Sequence, residues 1–304
     1  MCAFTYTVLE SVFAFEFNEE GAYMAAFTNT ATLTYNNQTR NSNVVTGEIL
    51  EVLTATKNVI GANYHAGDTL TYVVTVVNSG ATAITGLTLS DDLGAYTFGT
   101  GTLTPLDYVE DSLRYYTNGT LATTPTVTAG PPLTVAGISV PAGGDATIIY
   151  QAKVNEFAPL TNESSIKNTA TVTGGAQTLT AEATIAVSAD PELTITKTLC
   201  PQTVVEDGQI TYTFVIQNTG NTAAVAADNV TVTDTFTPIL KNIAVTLDGT
   251  ALATPADYSY SETTGVFTTT AGRITVPAAT YTQNTDGSFT VTPGTATLVV
   301  TGTI

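Results

Sequence analysis

Ala66-Gly-Asp-Thr-Leu-Thr-Tyr72-Val-Val-Thr-Val-Val-Asn78-Ser-Gly80 recurs further along the chain as Glu206-Asp-Gly-Gln-Ile-Thr-Tyr212-Thr-Phe-Val-Ile-Gln-Asn218-Thr-Gly220. Each copy opens on a Gly/Asp turn, alternates polar and apolar residues, and closes on Asn-x-Gly. A period of two is the signature of a half-buried strand, and the flanking Gly, Asn and Asp residues are turn formers. Working outward, Leu53-Thr-Ala-Thr-Lys57 and Leu193-Thr-Ile-Thr-Lys197 precede the two copies, and Leu87-Thr-Leu-Ser-Asp91 and Val230-Thr-Val-Thr-Asp234 follow them. The spacing between copies is 140 residues at the Lys and at the Tyr, and 143 at the Asp.

The intervening turns, Pro141-Ala-Gly-Gly-Asp145 and Asp248-Gly-Thr250 among them, separate further short alternating runs, and no window carries a sustained helical stripe. Many short strands divided by such turns predict an all-β chain of two tandem immunoglobulin-like Greek-key β-sandwiches. The chain has no Trp, so the Cys…Trp…Cys pattern of antibody domains is absent. The expected organisation is an extension over residues 1–50, a complete first unit over 51–190 and a second unit over 191–304. Ser188-Ala-Asp-Pro191 joins the two units.

The extension carries its own echo of the repeat. Phe27-Thr-Asn29-Thr-Ala-Thr-Leu-Thr-Tyr35 matches Lys167-Asn168-Thr-Ala-Thr-Val-Thr173, the segment that closes the first unit. The first copy has no unit before it, and the second unit reaches Ile304 without a closing segment of its own. The expectation is therefore donor-strand complementation: the hairpin of residues 29–50 from one subunit completes the second unit of another, and the contact repeats head to tail as an open fibre. In residues 1–26, alternating Phe4, Tyr6, Val8, Phe13, Phe15 and Phe17 predict one further strand.

The ordered set Lys…Gly-Asp-x-x-x-Tyr-x-x-x-x-x-Asn-x-Gly…Val-x-Val-x-Asp…Asn-Thr-Ala-x-Val resembles the DUF11 repeats of bacterial and archaeal surface proteins. The resemblance covers residues 51–187 and 191–304. The first unit departs from it at Asp91-Asp92-Leu-Gly94 and the second by the missing Asn-Thr-Ala strand. The resemblance implies a structural role at a cell surface or on a spore or cell appendage, and no enzyme activity.

A Lys on the first strand, an Asp at mid-domain and an Asn on the closing strand form a set that can condense Lys and Asn into an isopeptide bond. Burial favours the neutral amine and the protonated acid, and fixed positions supply much of the rate. In the first unit the set is Lys57, Asp91 and Asn168, within one chain. In the second it is Lys197 and Asp234, and Asn29 of another subunit stands where Asn168 stands. Asp91 and Asp234 are the expected proton shuttles.

Other chemistry finds little support. The chain holds 8 Lys and Arg against 26 Asp and Glu, a net charge of −18, which disfavours nucleic acid and anionic lipid. Glu19-Glu20, Asp91-Asp92 and Glu206-Asp207 read as solvated surface charge rather than a Ca²⁺ loop, and no metal or cofactor is expected. No run approaches 18 apolar residues, so membrane insertion is not expected. The N-terminus lacks the basic region of a standard signal peptide. His65, the single histidine, is read as an exposed turn residue, and no Ser-His-Asp or Cys-His triad can be assembled. Cys2 and Cys200 lie outside any CxxC pair; they are free thiols or, with the extension docked on a second unit, an intersubunit disulfide. The rival reading is a fragment of an adhesin stalk whose loops bind a ligand.

Overall fold

The computed structural model describes residues 14–17, 23–50, 52–174 and 177–304. The protein is all-β; one short 3-10 turn, Ala226–Asp228, interrupts the strands among the described residues. Cys2 and most of the alternating aromatics of residues 1–17 lie outside the described residues.

The extension holds β1 (Ala14–Phe17), β2 (Tyr23–Asn29), β3 (Thr32–Tyr35), β4 (Gln38–Asn41) and β5 (Val45–Leu50). β2 pairs with β1 and β5, and β3 pairs with β4. The β3–β4 turn is Asn36-Asn37, both at positive φ, the conformation a two-residue hairpin demands and asparagine tolerates. No strand beyond residue 50 pairs with these strands among the described residues.

The first half continues with β6 (Leu53–Ile60), β7 (Asn63–Tyr64), β8 (Thr69–Asn78), β9 (Ile84–Asp91), β10 (Tyr96–Phe98), β11 (Gly101–Leu103) and β12 (Leu106–Tyr108). After these come β13 (Arg114–Thr117), β14 (Thr120–Leu121), β15 (Thr126–Thr128), β16 (Leu133–Val140), β17 (Gly144–Val154), β18 (Ser165–Gly174) and β19 (Gln177–Val187). One sheet runs β14-β13-β17-β8-β6 and the other β15-β16-β9-β18-β19-β7. The alternation seen in the sequence becomes alternating burial, with Leu70, Tyr72, Val74 and Val76 of β8 facing Leu87 and Leu89 of β9 and Ile166 and Val172 of β18 in one core. β19 runs against β6, the edge of the first sheet.

The second half repeats the first sheet: β20 (Leu193–Cys200), β21 (Gln209–Asn218), β22 (Thr233–Thr235), β23 (Lys241–Leu247), β24 (Thr250–Ala251), β25 (Tyr258–Tyr260), β26 (Val266–Thr269), β27 (Thr280–Gln283), β28 (Phe289–Thr292) and β29 (Gly294–Thr303). The order β20-β21-β29-β23-β24 matches β6-β8-β17-β13-β14 strand for strand. Its facing sheet has three strands, β22-β26-β25, where the first half has six. A separate core gathers Tyr212, Phe214, Phe236, Phe267, Leu298 and Val300.

Apart from β18–β19, which the second half lacks, each half carries a hairpin with no counterpart in the other, and these two hairpins meet. β10–β11 follows Asp91 in the first half, and β27–β28 follows Pro277 in the second, where the first half has only the turn Pro141 to Gly144. Tyr281 and Val291 pack against the first core, and the Phe289 N–H donates to the Glu156 carbonyl at 2.8 Å. Gly287, at φ +89°, sits against β10–β11: a Cβ there would lie 2.1 Å from Leu103 Cδ1. Asn221 Nδ2 also donates to the Leu160 carbonyl at 3.3 Å.

Candidate functional site

Lys57 occupies the middle of β6, where its neighbours Ala55 and Val59 point to the same core. Its side chain is 0% exposed, as is that of Asp91 at the end of β9. Lys57 Nζ donates to Asp91 Oδ2 at 2.6 Å and lies 5.1 Å from the centroid of the Tyr72 ring. Burial pulls the Lys57 pKa below 10.5, against the pull of Asp91 in the other direction. The other oxygen of Asp91, Oδ1, accepts from the Leu93 N–H at 3.1 Å.

Asn168 stands on β18, beside β9; its neighbour Ala170 pairs directly with Asp91. It is fully buried, and its link to Asp91 is indirect. Tyr150, on β17, donates its hydroxyl to Asp91 Oδ2 at 2.6 Å and accepts from Asn168 Nδ2 at 3.1 Å. Asn168 Oδ1 and Tyr72 Oη are buried without a hydrogen-bond partner. Tyr150 and Tyr72 stack, ring centroids 5.5 Å apart, and burial raises both hydroxyl pKa values above 10, with the Asp91 charge adding to each. The Asn168 amide lies near enough to Tyr72 Oη to hold that rise back, yet outside hydrogen-bond geometry.

The Asp91-Asp92-Leu93-Gly94 stretch, which departs from the repeat pattern, ties the closing strand down. Asp92 Oδ1 accepts from the Thr169 N–H at 2.9 Å and the Gly94 N–H at 2.8 Å. Neither this clamp nor Tyr150 was legible beforehand, because β17 aligns with β29 and presents Val300 where Tyr150 stands: Tyr150 pairs with Tyr72, and Val300 with Tyr212. Asn78 and Asn218, the Asn of each Asn-x-Gly, are both fully buried and staple their turns, accepting from Gly80 and Gly220 at 2.9 Å and donating to Thr82 and Thr222.

In the second half the same pair sits in the open. Lys197 Nζ donates to Asp234 Oδ2, and the rings of Tyr212, Phe214 and Phe236 lie within 5.5 Å of it. The Lys197 side chain is nevertheless 40% exposed. All eight residues of β20 are exposed, where β6 buries Leu53 and Lys57. Asn29 is exposed at the end of β2, paired with Val45. Cys200 is exposed and unpaired among the described residues. His65 is less exposed than its turn suggests: it is half-buried near the start of the second half, Nδ1 3.2 Å from Asp68 and Nε2 3.7 Å from Glu192. A cleft of about 850 Å³ lies where the private hairpins meet, lined by Asp92, Tyr96, Lys167, Tyr281, Gln283 and Phe289. No helix is long and apolar enough to cross a membrane among the described residues.

No family model matches the chain, so the DUF11 resemblance rests on the motifs quoted above, and no curated protein matches either. Among solved structures it is similar to a variant of BcpA, the major pilin subunit of Bacillus cereus, with 12% identity, 90% of this chain and 80% of that one covered, and a TM-score of 0.36. It is similar to the RrgB pilus protein of Streptococcus pneumoniae (12% identity, 91% and 46% covered, TM-score 0.34). It is also similar to the N-terminal domain of the Streptococcus gordonii adhesin Sgo0707 (17%, 48% and 35%, 0.35). At such TM-scores these likenesses carry no argument about what this chain does.

Proposed function

We propose that the chain is a structural subunit of an extracellular, pilus-like filament, a DUF11-type surface protein of two tandem sandwiches that polymerises with copies of itself. One observation carries this reading: a hairpin and a sheet face that match each other are both left bare. In β18, Ala170 and Val172 are buried against the first core. Their counterparts in the extension, Ala31 and Leu33, are exposed, Leu33 by 56%, and Tyr35 by 48%. From Asn168 to the end of β18 at Gly174 is six residues, and from Asn29 to the end of β3 at Tyr35 is also six. On the other side, Leu193, Ile195 and Leu199 of β20 are exposed, on an edge strand whose equivalent β6 lies under β19. Exposed apolar edges of this kind favour strand addition. The hairpin of residues 23–50 from one copy covers β20 and β22 of the next, as β18–β19 covers β6 and β9.

Amide bonds between Lys57 and Asn168 within a copy, and between Lys197 and Asn29 across copies, lock the arrangement. A buried ammonium–carboxylate pair has a large desolvation penalty, so passing the proton from Lys57 to Asp91 along their 2.6 Å hydrogen bond yields a neutral nucleophile and an acid. Attack on the neighbouring amide expels ammonia. Electron microscopy of the purified chain, with and without residues 1–50, tests the assembly. Fibres from the full chain and none from the truncated one support it, and fibres of normal width from both refute it. A second reading, a ligand-binding adhesin module, draws on the cleft at the junction; monomers alone on the grid favour it.

A further inference from the structure

We propose that Tyr150 is a catalytic residue of the first half's amide formation: its hydroxyl, not the Asp91 carboxyl, donates to the Asn168 carbonyl during attack by Lys57. This rests on the isopeptide reading above. Asp91 Oδ2 already accepts from both Lys57 Nζ and Tyr150 Oη, each at 2.6 Å, and Asp91 Oδ1 accepts from the Leu93 N–H. Tyr150 alone spans from Asp91 to Asn168, and the one acceptor of that amide, Oδ1, has no partner.

The hydrogen-bond pattern has two self-consistent states, because a phenol donates one hydrogen and accepts others. With Asp91 ionised, Tyr150 must donate to Asp91, and Asn168 meets it through Nδ2, which strands Oδ1. Once Lys57 has given its proton to Asp91 Oδ2, the new carboxylic acid donates to Tyr150 Oη. The Tyr150 hydrogen is then free to turn to Asn168, and a half-rotation of the amide presents Oδ1 to it. In the neutral state the stranded Oδ1 gains a donor, and the carbonyl is polarised by a buried hydroxyl, where such a bond is strongest. The raised pKa of Tyr150 keeps it a donor throughout.

The step then balances. Lys57 Nζ bonds to Asn168 Cγ while the charge growing on Oδ1 is held by the Tyr150 hydroxyl. As the tetrahedral adduct collapses the Tyr150 hydroxyl turns from Oδ1 to Nδ2 on the same carbon, a proton leaving Nζ passes through Asp91 and Tyr150 to Nδ2, and the Cγ–Nδ2 bond breaks to release ammonia. Asp91 ends protonated and Tyr150 unchanged. In the second half Val300 holds the matching place, so that site must polarise Asn29 by Asp234 directly.

The test is cell-free synthesis of the full chain, quenched in acid at intervals and read by intact mass, for wild type, Lys57→Ala and Tyr150→Phe. The expected result is a wild type short of the ammonia that Lys57→Ala retains. Tyr150→Phe, with the dichroism of the folded Lys57→Ala protein, should lose that ammonia about 100-fold more slowly, the effect of removing one oxyanion donor. A wild type at full mass overturns the isopeptide reading and this assignment with it. A bonded wild type with Tyr150→Phe bonded at the same rate overturns the assignment alone. Should Tyr150→Phe not fold, 3-fluorotyrosine at position 150 keeps the ring and hydroxyl but alters its acidity; an unchanged rate there overturns the assignment.

Discussion

Lys57 and Lys197 sit at the same point of the same strand, each bonded to an aspartate and each over the ring of a tyrosine on the next strand. One side chain is 0% exposed and the other 40%. The strands that carry them do not differ in pattern; what differs is whether a hairpin lies across them. A chemical site of this kind is therefore made by its lid as much as by its ligands. The same pair that is buried under β18–β19 is a surface ion pair without them.

The comparison can be broken most completely by removing the lid in trans. Deleting residues 1–50 should abolish sedimentable polymer altogether, and a synthetic peptide of residues 23–50 added to the full chain should shorten fibres by occupying the open face; sedimentation and microscopy read both. Next in size, in an Asn168→Ala background that keeps Lys57 free, Asp91→Ala strands a buried lysine and should destabilise the first half by about 3–5 kcal/mol, whereas Asp234→Ala in the unassembled chain should remove no more than about 1 kcal/mol. Paired denaturant titrations decide between these, and equal losses would mean that the lid does not set the environment.

Asn29→Ala leaves Leu33 and Tyr35 in place, so fibres should still form. They should fall to monomers on boiling in detergent and reductant, where wild-type fibres should not. Asn168→Ala keeps Lys57 free and exposes its linkage to pH. Its folded pKa lies below 10.5, so the unfolded chain binds the extra proton and stability rises as pH climbs through that window. Near pH 10 the buried Tyr72 and Tyr150, whose pKa values are raised, resist ionising in the folded state, and further increase should lower stability again. Smallest, Gly287→Val should loosen the junction by about 1–3 kcal/mol through the clash with Leu103, without touching either lysine. Small-angle scattering should show more spread between the halves, and the first half's mass shift should be unaffected.

Much of the architecture was legible because it is local. Alternation in Thr69–Asn78 and Gln209–Asn218, the Asn-x-Gly turns and the matched spacing of Lys57 and Lys197 are properties of one stretch of backbone at a time. The Lys57–Asp91 contact was also foreseeable, since both residues close motifs repeated in order. Tyr150 was not, because its hydroxyl reaches Asp91 of β9 and Asn168 of β18 from the opposite sheet, and nothing in its own strand marks it. Nor were the two private hairpins, which lie after Asp91 and after Pro277 and outside the repeated motifs; what they do is visible only when Tyr281 and Gly287 are seen against the first half.

By itself the sequence determined that this protein is built of strands, that it repeats, and which residues recur at equivalent points. Tertiary structure alone decided which of two like lysines is taken out of water, which tyrosine bridges the acid to the amide, and where the halves grip each other. The reason is that strand periodicity is encoded along the chain, while burial and hydrogen-bond partnership depend on what another segment, dozens of residues away, lays across it.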